Sequence, residues 1–252
     1  MITLKSPGEV KLMRRAGKIT AAARALAGEM VTAGVTTREI DKAVRKYIES
    51  QGATPTFLGY SGYPASTCIS INEELIHGIP GNRVIKDGDI VSIDVGATKD
   101  GFVGDCAATF IVGDVDEKVR KLVEVTRQSF YEGLKYAREG YRVSDISHAI
   151  QQYVESFGFS VVREYVGHGV GSKMHEDPEV PNFGPKGHGP RLVRGMTIAV
   201  EPMVNLGAAA VRVLKDGWTV VTADGKPAAH YENTILITDG DPEILTMSEV
   251  MI

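Results

Sequence analysis

Two segments that are typical of buried strands each carry a carboxylate where an apolar side chain is expected. Asp94 lies within the run IVSIDV, and Glu201 lies within the run IAVEPM. Burying an unpaired charge in such a place is strongly unfavourable unless a partner compensates it. Asp105 and Glu232 lie in two more strand-like segments. The fold must therefore bring these acids either to solvent or to a positive charge.

A predicted hairpin places two of these acids close together. The segments Asp89–Thr98 and Phe102–Val112 alternate as strands and are joined by the turn sequence KDG. If the first two residues of this turn form the loop, Asp94 lies directly opposite Asp105, which is unfavourable unless a cation bridges them. Two alternatives remain: a three-residue loop with a glycine bulge would change the pairing, and an aspartate that points to solvent would need no partner.

A histidine completes a candidate metal-binding set. His168 lies in the flexible sequence GHGVG after a predicted strand, so its imidazole can reach inward. Two Asp, two Glu and one neutral His would balance two divalent cations, and mixed oxygen and nitrogen ligands suit Mn, Co, Fe or Zn. Neither Cys68 nor Cys106 is needed as a ligand. Two such ions about 3.5–4 Å apart can share carboxylates and generate a hydroxide nucleophile.

The chain order contains a weak internal repeat. Capping boxes at Ser6 and Thr36 predict two helices, the second ending near Ser50. Further along we expect helices at about 116–138 and 144–157, and strands near 160–166, 196–204, 218–222 and 230–238. Each half thus runs helix, helix, strand and then an acid-bearing strand. Chance recurrence is one explanation; the other is that two α+β halves pack about a pseudo-two-fold axis with the acids between them.

Composition excludes several classes of protein. Hydrophobic residues make up 43% and charged residues 24% of the 252 residues, as in globular proteins. No apolar run approaches the roughly 18 residues that span a bilayer, and the first residues lack the apolar segment of a secretion signal. The net charge of −4 argues against nucleic acid as a substrate. With only two cysteines, a location in the reducing cytoplasm is expected.

Five motifs resemble those of type I methionine aminopeptidases, which belong to peptidase family M24. They are YSGYPASTCISINEELIHGIP (60–80), SIDVGATKDGFVGDCAATF (92–110), YVGHGVGSKMHEDPEVPNF (165–183), TIAVEPMV (197–204) and HYENTIL (230–236). The resemblance implies the pita-bread (creatinase/aminopeptidase) fold, an α+β architecture of two pseudo-symmetric halves around a central antiparallel sheet. It also implies a single catalytic domain, 1–252, with halves of about 1–113 and 114–252. The chain lacks the helical insertion of type II members, which favours the compact bacterial-like form.

The resemblance also implies a role for each acid. Asp94 would chelate one ion, Asp105 and Glu232 would bridge both, and His168 and Glu201 would complete the shell of the second. The ions would be Co, Mn, Fe, Zn or Ni. The implied reaction is hydrolysis of the first peptide bond of a chain that begins with methionine. Metal-activated water would attack the methionine carbonyl, and Glu201 would accept and transfer the proton.

The remaining site residues follow from the same resemblance. His77 and His175 would be catalytic and substrate-binding without ligating metal, His175 at the scissile carbonyl and His77 near the leaving group. The methionine pocket would be lined by Phe57, Tyr60, Tyr63, Cys68, Met174 and Trp218. Many bacterial members have Cys in place of Phe57 and an aromatic residue in place of Met174, which leaves the pocket width open. His230 is expected to face away from the metals.

Two other functions are compatible with such a sequence. Proline-specific peptidases of the same fold have the same five ligand types, but normally carry an additional N-terminal domain. A non-catalytic binding protein on this fold would be expected to have lost ligands. For the peptidase, the expected partners are nascent polypeptides with N-terminal Met and a small second residue, and a transient contact with the ribosome. We expect a monomer that does not associate with membranes.

Overall fold

The computed structural model describes residues 1–247, which form four helices and fifteen strands in that part of the chain. The helices are α1 (Pro7–Glu29), α2 (Thr37–Ser50), α3 (Glu117–Leu134) and α4 (Val143–Ser156). The strands are β1 (Thr54–Pro55), β2 (Thr67–Ile71), β3 (Glu74–Ile76), β4 (Ile90–Lys99), β5 (Phe102–Ile111), β6 (Ser160–Val161), β7 (Gly167–Gly169), β8 (Glu176–Val180), β9 (Thr197–Val200), β10 (Met203–Asn205), β11 (Val211–Val213), β12 (Val220–Thr222), β13 (Ala228–His230), β14 (Glu232–Leu236) and β15 (Glu243–Ile244).

Local signals set the first two helices. Both predicted capping boxes are present: Ser6 accepts a hydrogen bond from the Glu9 backbone, and the Glu9 carboxylate accepts one from the Ser6 backbone. Thr36 caps α2 in the same way. The face of α1 that meets the sheet is made of small residues, and a Cβ at Gly28 would lie 2.3 Å from the Phe110 ring. Small side chains therefore let α1 lie close against the sheet.

The central sheet joins strands from both parts of the chain. Its order is β1-β4-β5-β14-β9-β7-β8, with β2 also paired to β4 and β15 to β14, and every pairing is antiparallel. The seam lies between β5 and β14, where Asn233 pairs with Cys106 and Glu232 with Ala107. Acids that are far apart in sequence are therefore carried on neighbouring strands.

Separate apolar cores lie on the two sides of this seam. One core contains only residues between 23 and 112 and packs α1 and α2 on the first strands, with Ile40 and Ile48 fully buried. The other packs α3 and α4 on the later strands around Phe130 and Ile150. The two α+β halves predicted from the repeat are thus present, and each helix pair covers its own half of the sheet.

The hairpin between β4 and β5 has a different loop from the predicted one. Lys99 pairs with Phe102, so the two-residue loop is Asp100-Gly101. Both loop residues have positive φ, 52° and 82°. This is the backbone of a type I′ turn, which favours Asp-Gly because its twist matches that of the strands. The turn chemistry, rather than the first two residues of the KDG sequence, sets the register.

The predicted direct opposition of the two hairpin aspartates is therefore wrong. Asp94 lies opposite Ala107, and Asp105 lies opposite Gly96. The register differs from the prediction by two residues, and a shift of two leaves every side chain on the same face. The aspartates are therefore diagonal neighbours on one face, at a separation that still leaves their charges in conflict.

Several predicted strands are shorter than expected. The segment 196–204 is divided at Glu201-Pro202, where proline has no N–H to donate to the sheet. The segment 230–238 is interrupted at Tyr231, and only the first two residues of 160–166 form a strand. Strand β8 was not predicted, because its sequence EDPEV is polar and contains a proline. Within residues 1–247, no helix combines the length and apolar character needed to cross a bilayer.

Candidate metal centre and adjoining pocket

The five predicted ligands converge on one face of the central sheet. Asp94 lies on β4, Asp105 on β5, His168 on β7 and Glu232 at the start of β14, and Glu201 directly follows β9. Because these strands are neighbours in the sheet, the five side chains form one cluster. His168 Nε2 lies 3.6 Å from an Asp105 carboxylate oxygen and 3.5 Å from a Glu201 carboxylate oxygen.

The carboxylates are shielded from water yet lack hydrogen-bond donors. Asp105 and Glu232 are each 2% exposed, and Glu201 is 9% exposed. One carboxylate oxygen of each of these three, and Oδ1 of Asp94, has no hydrogen-bond partner within the described residues. A buried polar atom without a partner is unusual and calls for a missing ion or ligand.

The electrostatics of the cluster point the same way. Burial raises the pKa of all four carboxyl groups well above their usual range, and repulsion between the neighbouring acids raises each pKa further. Burial lowers the pKa of His168 to about 4, so its imidazole is neutral at pH 7. A neutral histidine cannot compensate the acids, and bound cations can.

The tautomer of His168 is set by the backbone. Its Nδ1 lies 2.9 Å from the carbonyl oxygen of Gly169, which can only accept, so Nδ1 carries the proton. The lone pair of Nε2 then faces the carboxylates and is free to ligate a metal. Two other buried groups hold the acids: Thr234 exchanges hydrogen bonds with the Asp105 backbone, and Asn182 donates to the Glu201 carbonyl.

The donor atoms form two overlapping sets. Potential ligand atoms of Asp105, His168 and Glu232 lie within 4.8 Å of one another, as do those of Glu201, His230 and Glu232. Glu232 belongs to both sets, so it is placed to bridge two ions. Oxygen and nitrogen donors without thiolate, together with unpaired buried carboxylate oxygens, fit two divalent cations such as Mn, Co, Fe, Zn or Ni.

His230 faces the cluster, so the prediction that it faces away is wrong. It is 2% exposed, and its Nε2 lies 3.8 Å from carboxylate oxygens of both Glu201 and Glu232. Residues two apart in an extended segment lie on the same face. The spacing of His230 and Glu232 therefore contained the signal that would have placed it correctly.

A cavity of about 210 Å³ adjoins the carboxylates. Its wall includes all five predicted ligands, both predicted non-ligand histidines and every predicted pocket residue: Phe57, Tyr60, Tyr63, Cys68, His77, Met174, His175 and Trp218. Sequence reasoning missed four other wall residues, Ser61, Ile76, Tyr165 and Val166, although Ser61 and Ile76 are adjacent in sequence to residues that it had selected. The predicted metal ligands and the predicted pocket residues therefore line one cavity.

The two histidines predicted not to ligate metal line the same cavity as the carboxylates. The Tyr60 hydroxyl lies 2.7 Å from His175 Nδ1, and the rings of His175 and His168 have centroids 4.2 Å apart. Burial lowers the pKa of His175. Burial, with a smaller contribution from the charge of His175, lowers the pKa of His77 to about 4. Both imidazoles are therefore neutral near pH 7 and can donate a hydrogen bond to a substrate.

The fold and this carboxylate–histidine centre together define a metallopeptidase. The chain belongs to metallopeptidase family M24, whose model matches residues 11–239. Its relatives narrow the class: a methionine aminopeptidase of Clostridium perfringens is 55% identical over 247 residues, covering 98% of this chain and 99% of that protein. The crystal structure of a methionine aminopeptidase from Thermotoga maritima superposes with a TM-score of 0.97 at 47% identity, covering 98% of this chain and 100% of that one.

More distant members of the fold show the alternative expected from the sequence. The prolidase from Pyrococcus furiosus has a TM-score of 0.79 at 24% identity, and the match covers 98% of this chain but 66% of the prolidase. At that identity the likeness concerns the fold alone. The predicted pita-bread architecture is confirmed. The prolidase is longer than this chain and less similar to it than the methionine aminopeptidase is.

Proposed function

We propose that this protein is a methionyl aminopeptidase that removes N-terminal methionine from newly made polypeptides. The observation that carries the proposal is that the unpaired buried carboxylates line a mainly apolar cavity of about 210 Å³. Near-full-length identity of 55% to a protein named methionine aminopeptidase supports the same assignment.

In this proposal Asp94 would hold one ion, His168 and Glu201 would hold the second, and Asp105 and Glu232 would be ligands to both. When bound, divalent ions would polarise the substrate carbonyl and lower the pKa of water. Glu201 is suited to hold the transferred proton, because burial and neighbouring acids raise the pKa of its carboxyl group. It lies at the break between β9 and β10, facing the cavity.

The neutral histidines would bind the reacting amide. His175, oriented by Tyr60, would donate to the carbonyl oxygen as negative charge develops, and His77 would contact the amide near the leaving group. A donor placed at a developing oxyanion typically contributes about 10²- to 10³-fold in rate. Both histidines line the cavity without being proposed ligands, so we expect their replacement to lower the rate and to leave metal binding intact.

The apolar wall would select the methionine side chain. Tyr63 is held by hydrogen bonds from its hydroxyl to the carbonyls of Thr67 and Gly78, and its ring meets Trp218 edge to face. Cys68 and Met174 bring sulfur atoms to the same wall. A thioether packs favourably against sulfur and aromatic groups, and a rigid wall limits the width of the side chain that enters.

The decisive experiment combines metal stoichiometry with peptide cleavage. Each divalent ion is titrated into metal-stripped protein, and hydrolysis of Met-Gly-Met is compared with that of an Xaa-Pro dipeptide. We expect activity to rise with metal occupancy and to be confined to the methionine peptide. Preferential cleavage of the Xaa-Pro dipeptide would indicate the proline-specific function. Equal peptide affinity without metal, and no turnover with any ion, would indicate a binding protein.

Substrates with a small second residue should be preferred. We expect Met-Ala-Ser to be cleaved with a much higher kcat/KM than Met-Lys-Ser, measured by release of free methionine. Equal values for the two peptides would contradict this preference.

The partners follow from such a substrate. Nascent chains are made in the cytoplasm, so we propose that the enzyme acts there as a monomer, with a transient contact to the ribosome.

A further inference from the structure

A buried ion pair joins the N-terminal segment to the loop that carries His175. Lys5 Nζ lies 2.6 Å from a carboxylate oxygen of Glu176, and their side chains are only 3% and 11% exposed. Most surface ion pairs contribute little, but one this shielded leaves an uncompensated charge when either partner is removed. The Lys5 backbone is itself held by a hydrogen bond to the Gly195 carbonyl.

The pair lies against the backbone of the active-site loop. A Cβ added at Gly171 would lie 2.4 Å from the Glu176 carboxylate and 2.6 Å from Lys5 Cε. Lys5 contacts Glu176 Oε2, and Glu176 Oε1 accepts a hydrogen bond from the Lys173 backbone. The ion pair therefore contacts the loop at its start and at its end.

This loop, residues 171–176, carries two groups of the proposed site. Met174 and His175 line the cavity, and Glu176 is the next residue along the chain. Glu176 also pairs with Gly169 across β7 and β8, next to His168. His168 has additional support, because Gly169 pairs with Ile198 on β9. The position of the loop 171–176 therefore depends on the ion pair more than the position of His168 does.

We propose that Lys5 and Glu176 are positioning residues that hold His175 where it meets the substrate carbonyl. The ion pair packs on the Gly171 backbone and fixes the end of the loop at Glu176, so the His175 ring stays in contact with Tyr60 and His168. This inference rests on the proposed function, in which His175 acts on the reacting amide. Neither member of the pair lines the cavity, so their effect on catalysis passes through the loop.

A double-mutant cycle between Lys5→Met and His175→Ala tests the proposal. We expect Lys5→Met to lower kcat by about 10- to 100-fold, as small misplacements of a catalytic group do, with little change in KM. In the His175→Ala background, Lys5→Met should leave kcat almost unchanged. Glu176→Gln should lower kcat by a smaller factor than Lys5→Met, because the glutamine amide oxygen can still accept a hydrogen bond from Lys5.

Control variants separate positioning from folding. Arg14→Met, in α1, removes an exposed ion pair with Glu243 of β15 and should leave kcat unchanged. If Lys5→Met alone does not fold, the double variant Lys5→Met/Glu176→Gln removes the unpaired buried charge and should show the same kcat loss. Metal content should equal that of the wild type in every Lys5 variant.

Three outcomes would overturn the proposal: an unchanged kcat in Lys5→Met, an equal loss with and without His175, or a fall in metal content. These outcomes differ from the one that would overturn the proposed function. If that function is wrong, the wild type itself cleaves no methionine peptide. Imidazole NMR provides a readout independent of turnover. Lys5→Met should shift the ring signals of His175 and leave those of the distant His148 in place, and unmoved His175 signals would contradict the proposal.

Discussion

At the scale of single residues, the site consists of acids whose burial side by side is unfavourable unless a cation compensates their charge. One shielded oxygen of each of Asp105, Glu201 and Glu232 has no donor within the described residues, and the imidazole of His168 presents a lone pair to them instead of a proton. Removing a ligand should therefore differ from removing a hydrogen-bond donor.

Ligand and non-ligand variants should separate metal content from rate. Asp94→Ala and His168→Ala should nearly abolish turnover and lower the metal content, because each removes a proposed ligand. His175→Ala should retain metal and lose about 10²- to 10³-fold in kcat. Elemental analysis and peptide hydrolysis on the same samples measure both quantities. Full activity in either ligand variant would reject the assigned centre.

Metal binding should release protons. Burial and mutual repulsion raise the pKa of the four carboxyl groups, so the metal-free site holds protons at pH values where free carboxyl groups do not. A cation favours the ionised forms, which lowers those pKa values and makes the affinity for metal rise with pH. Calorimetric titrations in two buffers of different ionisation enthalpy measure the released protons. Identical binding enthalpies in both buffers would contradict this account.

At the scale of elements, the β4–β5 hairpin determines which residues meet. Its type I′ turn requires positive φ at Asp100 and Gly101, and this requirement moved the pairing by two residues from the predicted register. Strand β4 is buried along most of its length, and β5 is buried from Val103 to Ala107. Because side chains alternate, the aspartates stayed on one face in spite of the shift.

Replacing the turn glycine should destabilise the protein. Gly101→Ala places a Cβ at φ 82°, and a left-handed conformation costs an L-residue about 1–2 kcal/mol. The matched control is Gly8→Ala in α1, where the added methyl meets nothing closer than 4.0 Å and should stabilise by about 0.4–1 kcal/mol. Denaturant unfolding of both variants measures these changes. A stabilised Gly101→Ala would show that the turn differs from the type I′ geometry.

At the scale of the whole molecule, the proposed metal centre links the two halves. Asp94 and Asp105 come from the first half, and His168, Glu201 and Glu232 come from the second, across the seam between β5 and β14. Bound ions would therefore add a connection between the two halves to the apolar cluster that they already share, and the free energy of binding would add to the free energy of unfolding.

Removal of metal should lower the melting temperature. A ligand present at about 100 times its Kd stabilises the folded state by about 2.7 kcal/mol. We expect a chelator to lower the Tm of the wild type and restored metal to raise it again, measured by calorimetry. The Asp94→Ala variant should show a smaller response. A wild-type Tm that is indifferent to metal would mean that the ions do not bridge the halves.

The sequence by itself determined the features that depend on local interactions. Capping boxes at Ser6 and Thr36 predict both helix starts, and acids within apolar runs predict a shared charged centre. Motif resemblance supplied the pocket, every member of which lines one cavity. These predictions hold because a cap involves residues three apart, and because a buried acid is unfavourable wherever the strand lies.

Only the tertiary structure decided the contacts between distant segments. It brought His230 to the carboxylates, and it joined Lys5 to Glu176 across 171 positions of sequence. It also divided the strand at Glu201, where the chain turns at Pro202. Such contacts arise from how whole sheets and helices pack, and no short stretch of sequence specifies the surface that another stretch will meet.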